Sequence, residues 1–276
     1  MSVLGSPIQN FVKRQIEKRQ EVHGSGINNN RSLEEITYLN SKNSWCRLAS
    51  SVYINDDADG EDRLNKIGLS KSNVGSKLAK KWILFNGTGD GKKAGINGLN
   101  PNPAYGLKNS DQGYVPMPGI KDFNVECLNR GSLKKITLNL VCFNAQQLSI
   151  IDVLYLRLGY TVFLEWGWDK YFENGSSTLT SNDINLTDSF LGNSKQAATS
   201  VPFKSAEDKL RSDIFNKRSK SNGNYDAIIA RIVNFNWSFT KDGNYEISLE
   251  LLSKGDIMES LKINQPPAIG GDIFEP

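Results

Sequence analysis

The sequence predicts a mainly β fold with a few helices, the α+β class, built from antiparallel strands. Three stretches carry this prediction. Residues 225–252 alternate apolar and polar side chains on both sides of a Lys-Asp-Gly turn, which predicts a long β-hairpin. Residues 123–143 contain a second pair of such runs. Between them, residues 144–168 predict a helix that passes through Gly159 directly into a strand.

Residues 1–32 are predicted to form an arm followed by a linker. Residues 7–21 predict a short amphipathic helix that packs on its own domain or on a neighbour. The apolar face of this helix consists of Ile8, Phe11, Val12 and Ile16. That face is too short to favour binding to a membrane surface. Residues 24–30 are rich in glycine and asparagine and predict a flexible linker.

The next stretch predicts a helix, two strands and a long insertion. Ser32 followed by Glu35 is a capping box, which marks the start of a helix. Residues 45–54 and 80–85 are rich in apolar side chains and predict strands. Residues 86–118 are rich in Gly, Asn and Pro and predict a loop insertion. The glycines at its start lack the spacing, the hydroxyl and the following helix of a phosphate-binding loop.

Residues 55–68 form an acidic stretch whose start resembles a calcium-binding loop. Asn55, Asp57 and Asp59 occupy the first, third and fifth positions of such a loop. The twelfth position holds Lys66 in place of the bidentate glutamate, and no flanking pair of helices is evident. We therefore predict a solvated loop without a metal ion.

The segment of residues 144–168 is expected to organise the fold. Asn144 and Gln147 predict the start of a helix, and Gly159 stands where a left-handed helix end is favoured. The apolar stripe of this helix consists of Leu148, Ile151, Leu154, Tyr155 and Leu158. Residues 160–166 then change to β-branched and aromatic side chains and predict a strand.

Residues 171–223 predict a second insertion, of which residues 176–200 are polar and lack periodicity. Residues 205–217 predict a helix whose apolar side chains are Leu210, Ile214 and Phe215. The first strand of the following hairpin is predicted to place one set of side chains on a single face, namely Ile229, Val233, Phe235, Trp237 and Phe239. Residues 263–276 form a tail whose prolines continue neither a helix nor a strand.

Composition and charge argue against several classes of function. The net charge of +3 is too small to favour a dedicated nucleic-acid binder, which concentrates lysine and arginine on one face. No run approaches the ~20 apolar residues that span a bilayer, and the N-terminus lacks the apolar core of a signal peptide. We therefore expect no membrane anchor and synthesis in the cytoplasm.

The residues that usually carry catalysis are sparse. His23, the only histidine, lies beside a Gly/Ser linker, where it is not held as a general base. Cys46, Cys127 and Cys142 have no metal-binding spacing. Cys127 and Cys142 fall in strand-like runs and are predicted to be buried, reduced thiols. We predict no catalytic residue, no cofactor and no metal site.

Two carboxylates, Glu165 and Asp169, come nearest to a glycosidase-like pair. Neither lies in a recognisable motif. We interpret Glu165 as a residue that points to the opposite face of its strand and pairs with a cation on the neighbouring strand. The chain is therefore predicted not to be an enzyme.

The order of motifs resembles the hub proteins at the centre of phage baseplates and of related contractile injection machines. The motifs are the Met-Pro-Gly-Ile entry at residues 117–120, the turn Gly131-Ser132-Leu133, the following helix, the strand and the final hairpin at residues 232–253. The strand GYTVFLEWGW matches the form G-x-x-V-x-[LV]-x-W-G at Gly159, Val162, Leu164, Trp166 and Gly167. The resemblance covers residues 115–261, just over half of the chain.

This resemblance implies a tail-tube-type antiparallel β-barrel with a helix packed on it. The hub domain would span residues 33–262, with loop insertions at residues 86–118 and 171–223, and residues 263–276 would form the tail. The insertion at residues 171–223 has no counterpart in the family pattern.

The implied function is that of a structural virion protein made in the host cytoplasm. It would form a homotrimer or a hexameric ring that joins the tail tube to the central spike or baseplate and lines the axial channel. Its partners would be copies of itself, the tail tube protein, the spike and other baseplate proteins, with DNA only as cargo. The candidate residues for the subunit interface or channel wall are Ile232, Asn234, Asn236, Ser238, Ser248 and Glu250.

Two alternatives stay open at this point. A carbohydrate-binding β domain on a virion or surface particle would use tryptophans that stack on sugar rings, and the candidates are Trp45, Trp82, Trp166, Trp168 and Trp237. Trp166 and Trp168 would share a face that is more simply a core or interface face. A cell-wall hydrolase is disfavoured because the chain has no evident catalytic set.

Overall fold

A computed structural model describes residues 10–25, 31–40, 44–87, 116–128, 133–168, 170–173, 179–180, 186–187, 189–191 and 203–253. Its strands are β1 (Ser44–Ser50), β2 (Leu84–Gly87), β3 (Gly119–Leu128), β4 (Leu133–Cys142), β5 (Thr161–Trp168), β6 (Tyr171–Phe172), β7 (Leu179–Thr180), β8 (Tyr225–Phe239) and β9 (Tyr245–Ser253). Its helices are α1 (Asn10–Ser25), α2 (Leu33–Asn40), α3 (Ala58–Lys66), α4 (Lys77–Lys81), α5 (Ala145–Tyr155) and α6 (Phe203–Lys220). The mainly antiparallel α+β class is confirmed.

Seven of these strands form one antiparallel sheet in the order β2-β1-β5-β8-β9-β4-β3, and β6 pairs with β7. The sheet is curled into a half-barrel. Its two outer strands lie close to each other at one point, where the side-chain amide of Asn86 on β2 donates a hydrogen bond to the carbonyl oxygen of Lys121 on β3 at 3.0 Å. On the inner side, the rings of Phe123 and Trp166 meet with centroids 5.6 Å apart, although β3 and β5 are not neighbours in the sheet.

Helix α5 packs on the sheet and anchors the central strands. Its start is capped as predicted, since the amide of Gln147 donates to the Asn144 side chain at 2.7 Å. The buried Tyr155 hydroxyl lies 2.7 Å from the carbonyl oxygen of Trp82 and 3.2 Å from that of Leu48. Leu158 does not continue the apolar stripe: α5 ends at Tyr155, and the Leu158 side chain is exposed.

Residues of the insertion at 171–223, which links β5 to β8 in sequence, cover one face of the sheet at these two strands. Phe190 stacks on Phe163 of β5 with centroids 5.3 Å apart, and Leu210 and Ile214 of α6 are buried. The polar, non-periodic stretch at residues 176–200 had suggested a long insertion at the surface, and this is wrong for its buried residues, which include Leu186, Phe190 and Leu191. The prediction failed because apolar side chains from a few short helical turns leave no periodic signal in a polar stretch.

The acidic stretch at residues 55–68 is helical, which corrects the prediction of a loop. Asp57 caps α3 by accepting a hydrogen bond from the amide of Gly60 at 2.7 Å. Asp59 and Glu61 lie in its first turn, where carboxylates suit the helix dipole, and Leu64 is buried. The pattern that resembled metal ligands is thus a helix start.

The N-terminal arm packs on its own domain. Val22 of α1 is fully buried against Tyr38 of α2 and Phe172 of β6. The capping box before α2 is confirmed, because Ser32 and Glu35 exchange side-chain to backbone hydrogen bonds of 3.2 and 3.0 Å. Helix α1 continues to Ser25, into the residues predicted to be a linker.

Several predicted features lie outside the described residues. They are Ile8, the rest of the linker at residues 26–30, most of the insertion at residues 86–118, the turn at residues 129–132, Asp169 and the tail at residues 263–276.

Strand β8 contains a bulge that governs the orientation of its second half. The pairing with β9 shifts between Ile232 and Asn234, so that Val233 is an extra residue. Before the bulge, Ile232 pairs with Leu251 on the core face. Beyond it, odd-numbered residues of β8 occupy that face, because an extra residue changes the alternation by one.

Candidate functional site

Five of the six predicted interface or channel-wall residues lie on one polar face of the β8–β9 hairpin. Asn234 pairs with Glu250 and Asn236 with Ser248 across the two strands. Asn234, Asn236 and Ser238 are exposed, and the two residues from β9 are half-buried. The residues after the bulge therefore form a continuous surface of amide, hydroxyl and carboxylate groups.

Ile232 is the exception, and its prediction as an interface or channel-wall residue is corrected. It is only 1% exposed and lies on the core face. Unbroken alternation from Ile229 to Phe239 would place Ile232 on the same face as Asn234, but the extra residue Val233 interrupts the alternation. For the same reason Ile229 lies on the face opposite to Phe235.

The polar face continues onto β4 and β3, where its carboxylates are compensated. Glu250 forms an ion pair with Lys135 at 3.4 Å, and Glu246 forms one with Lys121 at 2.9 Å. The hydrogen bond from Lys121 to Glu246 raises the pKa of this lysine. The surface is therefore polar with locally balanced charge.

The structure places β8 and β9 in the middle of the sheet, whose outer strands are β2 and β3. Within the described residues, β3 pairs only with β4; its other side lies beside β2 at Lys121 and is an unpaired edge from Phe123 onward. The second half of β8 offers another edge. Its pairing with β5 ends at Arg231 and Thr161, whereas β8 continues to Phe239 with β9 as its only described partner. We call residues 234–239 the β8 overhang.

The overhang carries an exposed aromatic cluster, and its two members on β8 were predicted from the sequence to share one face of the strand. The rings of Trp237 and Phe239 lie 6.0 and 5.0 Å from that of Tyr245. Trp237 is 53% exposed and Phe239 63% exposed. Trp237 and Phe239 do share the face that also carries Phe235. Among the described residues, however, no other element buries them at the end of β8. Alternation in the sequence predicts the face of a side chain but not whether another element packs on that face.

Of the five residues that match the strand pattern of the family, Gly159 lies at the junction between α5 and β5, and the other four lie within β5. Gly159 has φ of +82°, and its amide donates to the carbonyl oxygen of Ile232 at 2.8 Å. Val162 and Leu164 are fully buried, and Gly167 is buried between its cross-strand partners. Trp166 is half-buried against Phe123.

A buried polar cluster surrounds Glu165. Its nearest cation is Arg47, its direct partner on β1, with the closest charged atoms 3.6 Å apart. The predicted pairing across the strands is therefore confirmed. Tyr225 donates to Glu165 at 2.9 Å, and the Thr187 hydroxyl donates to its other oxygen. Burial, followed by the charge of Glu165, raises the pKa of Tyr225 well above its ordinary value. Glu165 is 0% exposed, so substrate cannot reach it in this conformation.

The cysteines split between the core and the surface. Burial raises the pKa of the Cys46 and Cys142 thiols to about 12, which leaves them protonated and unreactive at neutral pH. Cys127 is exposed on β3, which corrects its prediction as a buried thiol. The last three residues of β3, Glu126 to Leu128, are all exposed in the described part of the chain. Among the described residues no group of three or more His, Cys, Asp or Glu side chains could hold a metal ion.

Comparisons with family models, with curated proteins and with solved structures return no match for this chain. In the described part of the chain, no helix is both long and apolar enough to cross a membrane.

Proposed function

We propose that this chain is a structural ring component of the baseplate-hub and tail-tube type. It joins a tail tube to a central spike or baseplate in a virion. The ring is a homotrimer or a hexamer of this chain, and its polar sheet face lines the axial channel. Tail tube, spike and other baseplate proteins stack above and below it.

The proposal rests on one observation: among the described residues, one curled sheet leaves β3 from Phe123 onward and the β8 overhang without a strand partner on one side. A ring needs a head-to-tail contact, so each copy must offer two different and complementary surfaces. The outer side of β3 and the β8 overhang are two such surfaces. Backbone groups along an unpaired edge favour addition of another strand.

The side chains of the two edges alternate in a compatible way. On β3, Phe123 and Val125 lie on the inner face, with polar residues between them. On the overhang, Trp237 and Phe239 lie on that face, and Asn236 lies on the polar face. If β3 of one copy pairs with the overhang of the next, the apolar face and the polar face both continue across the boundary.

The polar face suits the wall of a channel that DNA passes through as cargo. Amide and hydroxyl groups keep the wall wet. The ion pairs of Lys121 with Glu246 and of Lys135 with Glu250 leave these two lysines partly neutralised. A wall with few free cations binds the phosphate backbone weakly, so cargo is not retained.

As the function of the whole domain, neither alternative gains comparable support. Trp45 and Trp82 are buried, which removes them as a platform for sugars. A hydrolase based on Glu165 would need that carboxylate to be accessible, and it is sealed beneath Thr187 and Tyr225.

The proposal is tested by placing a charge on the overhang. Phe239→Lys introduces a cation at a 63% exposed position on the proposed contact, where it would be buried against the neighbouring copy. Phe215→Lys on α6 is the matched control, because it makes the same exchange at a 60% exposed position away from both edges. Light scattering after size exclusion gives the subunit number, and electron microscopy shows the ring.

We expect the unmodified chain and Phe215→Lys to form a closed trimer or hexamer. We expect Phe239→Lys to remain folded by circular dichroism but to be monomeric. A monomeric unmodified chain at all concentrations, in the presence of its tube partner as well, contradicts the proposal.

A further inference from the structure

A cavity of about 790 Å³ lies between α3, α5 and the overhang, and of its lining residues only Trp237 also belongs to the proposed ring contact. Its volume is within the ~300–1,000 Å³ typical of ligand sites. Its lining residues come from helices α3 and α5, the segment after β1, the segment before β5, and Trp237.

One wall of this cavity is aromatic. Trp237 is 53% exposed, and Tyr245 holds its ring in place by an edge contact at 6.0 Å. Tyr160 and Tyr53 also line the cavity. A braced and exposed indole ring offers a flat apolar surface to a ligand at little conformational cost.

The polar lining is balanced in charge. Three carboxylates, Asp57, Asp59 and Asp152, face three cations, Arg63, Lys66 and Arg157. Some of these groups are already engaged, since Arg157 pairs with Asp152 at 2.5 Å and Asp57 caps α3. Asp59 and Arg63 are exposed and make no hydrogen bond or ion pair with the rest of the described chain. They are free to act as a hydrogen-bond acceptor and a donor.

From these features we infer that the cavity binds a neutral sugar, as a monosaccharide or a short oligosaccharide. A pyranose ring has a C–H face that stacks on tryptophan and hydroxyl groups that bond to carboxylate and guanidinium groups at its edge. Balanced charge selects a neutral ligand over an ionic one.

The experiment uses the full chain on an array of soluble glycans that covers neutral hexoses, N-acetylhexosamines and sialylated sugars. Sugars that bind are then titrated while tryptophan fluorescence is recorded. Trp237→Ala removes the stacking wall, and Asp59→Asn removes one acceptor charge while conserving size. Trp168→Ala is the matched control, because Trp168 is also exposed but does not line the cavity.

We expect neutral sugars to bind, with affinity about tenfold or more weaker in Trp237→Ala and unchanged in Trp168→Ala. Asp59→Asn weakens binding to a smaller degree. The inference is overturned if no glycan binds, if only charged glycans or peptides bind, or if both tryptophan variants lose binding equally. Binding by the monomeric Phe239→Lys variant separates this site from ring assembly, since a failure of either proposal leaves the other intact.

Discussion

Glu165 illustrates how far a single residue could be interpreted from sequence. A glutamate between two apolar neighbours on a strand must point away from their face, and such a charge needs a cation across the strand. The pairing with Arg47 follows this reasoning. Thr187, which donates to the same carboxylate, could not be foreseen, because it comes from an insertion with no regular pattern.

The Arg47–Glu165 pair gives a prediction at the same scale. Glu165→Leu leaves the 2% exposed Arg47 without its counter-ion, and we expect a loss of about 3–5 kcal/mol in the free energy of unfolding. The double change Arg47→Met with Glu165→Leu should recover most of this loss, because it removes both charges. Urea unfolding followed by circular dichroism measures both variants.

An exposed pair provides the comparison. Glu250→Leu removes a partner of the partly exposed Lys135, and we expect a change below about 1 kcal/mol. Equal costs for Glu165→Leu and Glu250→Leu would mean that burial does not determine the cost of losing a partner here.

For the helices and strands, some boundaries could be predicted from capping and turn residues nearby in the sequence, and others could not. The start of α5 and the left-handed Gly159 follow from side-chain capping and from the need for positive φ, both of which are read over a few residues. The bulge at Val233 has no such marker. Helix α3 was missed because its capping residue Asp57 was interpreted as a potential metal ligand.

Gly159 provides a test at the junction of α5 and β5. No atom lies within 4 Å of a Cβ built on this residue, so Gly159→Ala creates no clash. The residue's φ of +82° still disfavours alanine, and we expect a loss of about 1–2 kcal/mol in the free energy of unfolding. Gly159→Asn should cost clearly less, because asparagine tolerates this conformation. A neutral Gly159→Ala, measured by urea unfolding, would contradict this explanation.

At the scale of the whole molecule, the class of fold was predictable and the order of strands was not. Alternation and turn residues identify strands and hairpins locally. The insertion of β5 between β1 and β8 depends on contacts between residues far apart in sequence, which a single sequence does not encode in any short pattern. The curl of the sheet, which brings Asn86 close to Lys121, could not be predicted for the same reason.

Ring assembly makes a prediction for amide hydrogen exchange along β8. Ala230 and Arg231 pair with both β5 and β9, and Ile232 pairs with β9 and is hydrogen-bonded to Tyr160 and Gly159, so residues 230–232 should be protected in the isolated chain. Residues 234–239 have a described partner on one side only, so about half of their amides should exchange quickly until a neighbouring copy adds its strand. Mass spectrometry of monomeric Phe239→Lys and of the assembled chain measures this difference. Equal protection of the overhang in both forms would show that assembly uses another surface.

The extra residue Val233 also determines which face of the hairpin each later side chain of β8 occupies. Adding or removing one residue between Val233 and the turn would turn every later side chain to the other side, so that Trp237 would exchange places with its asparagine and serine neighbours. Two such changes cancel. A hairpin with a longer or shorter β8 overhang therefore keeps its polar face and its aromatic face only if the number of residues added or removed is even.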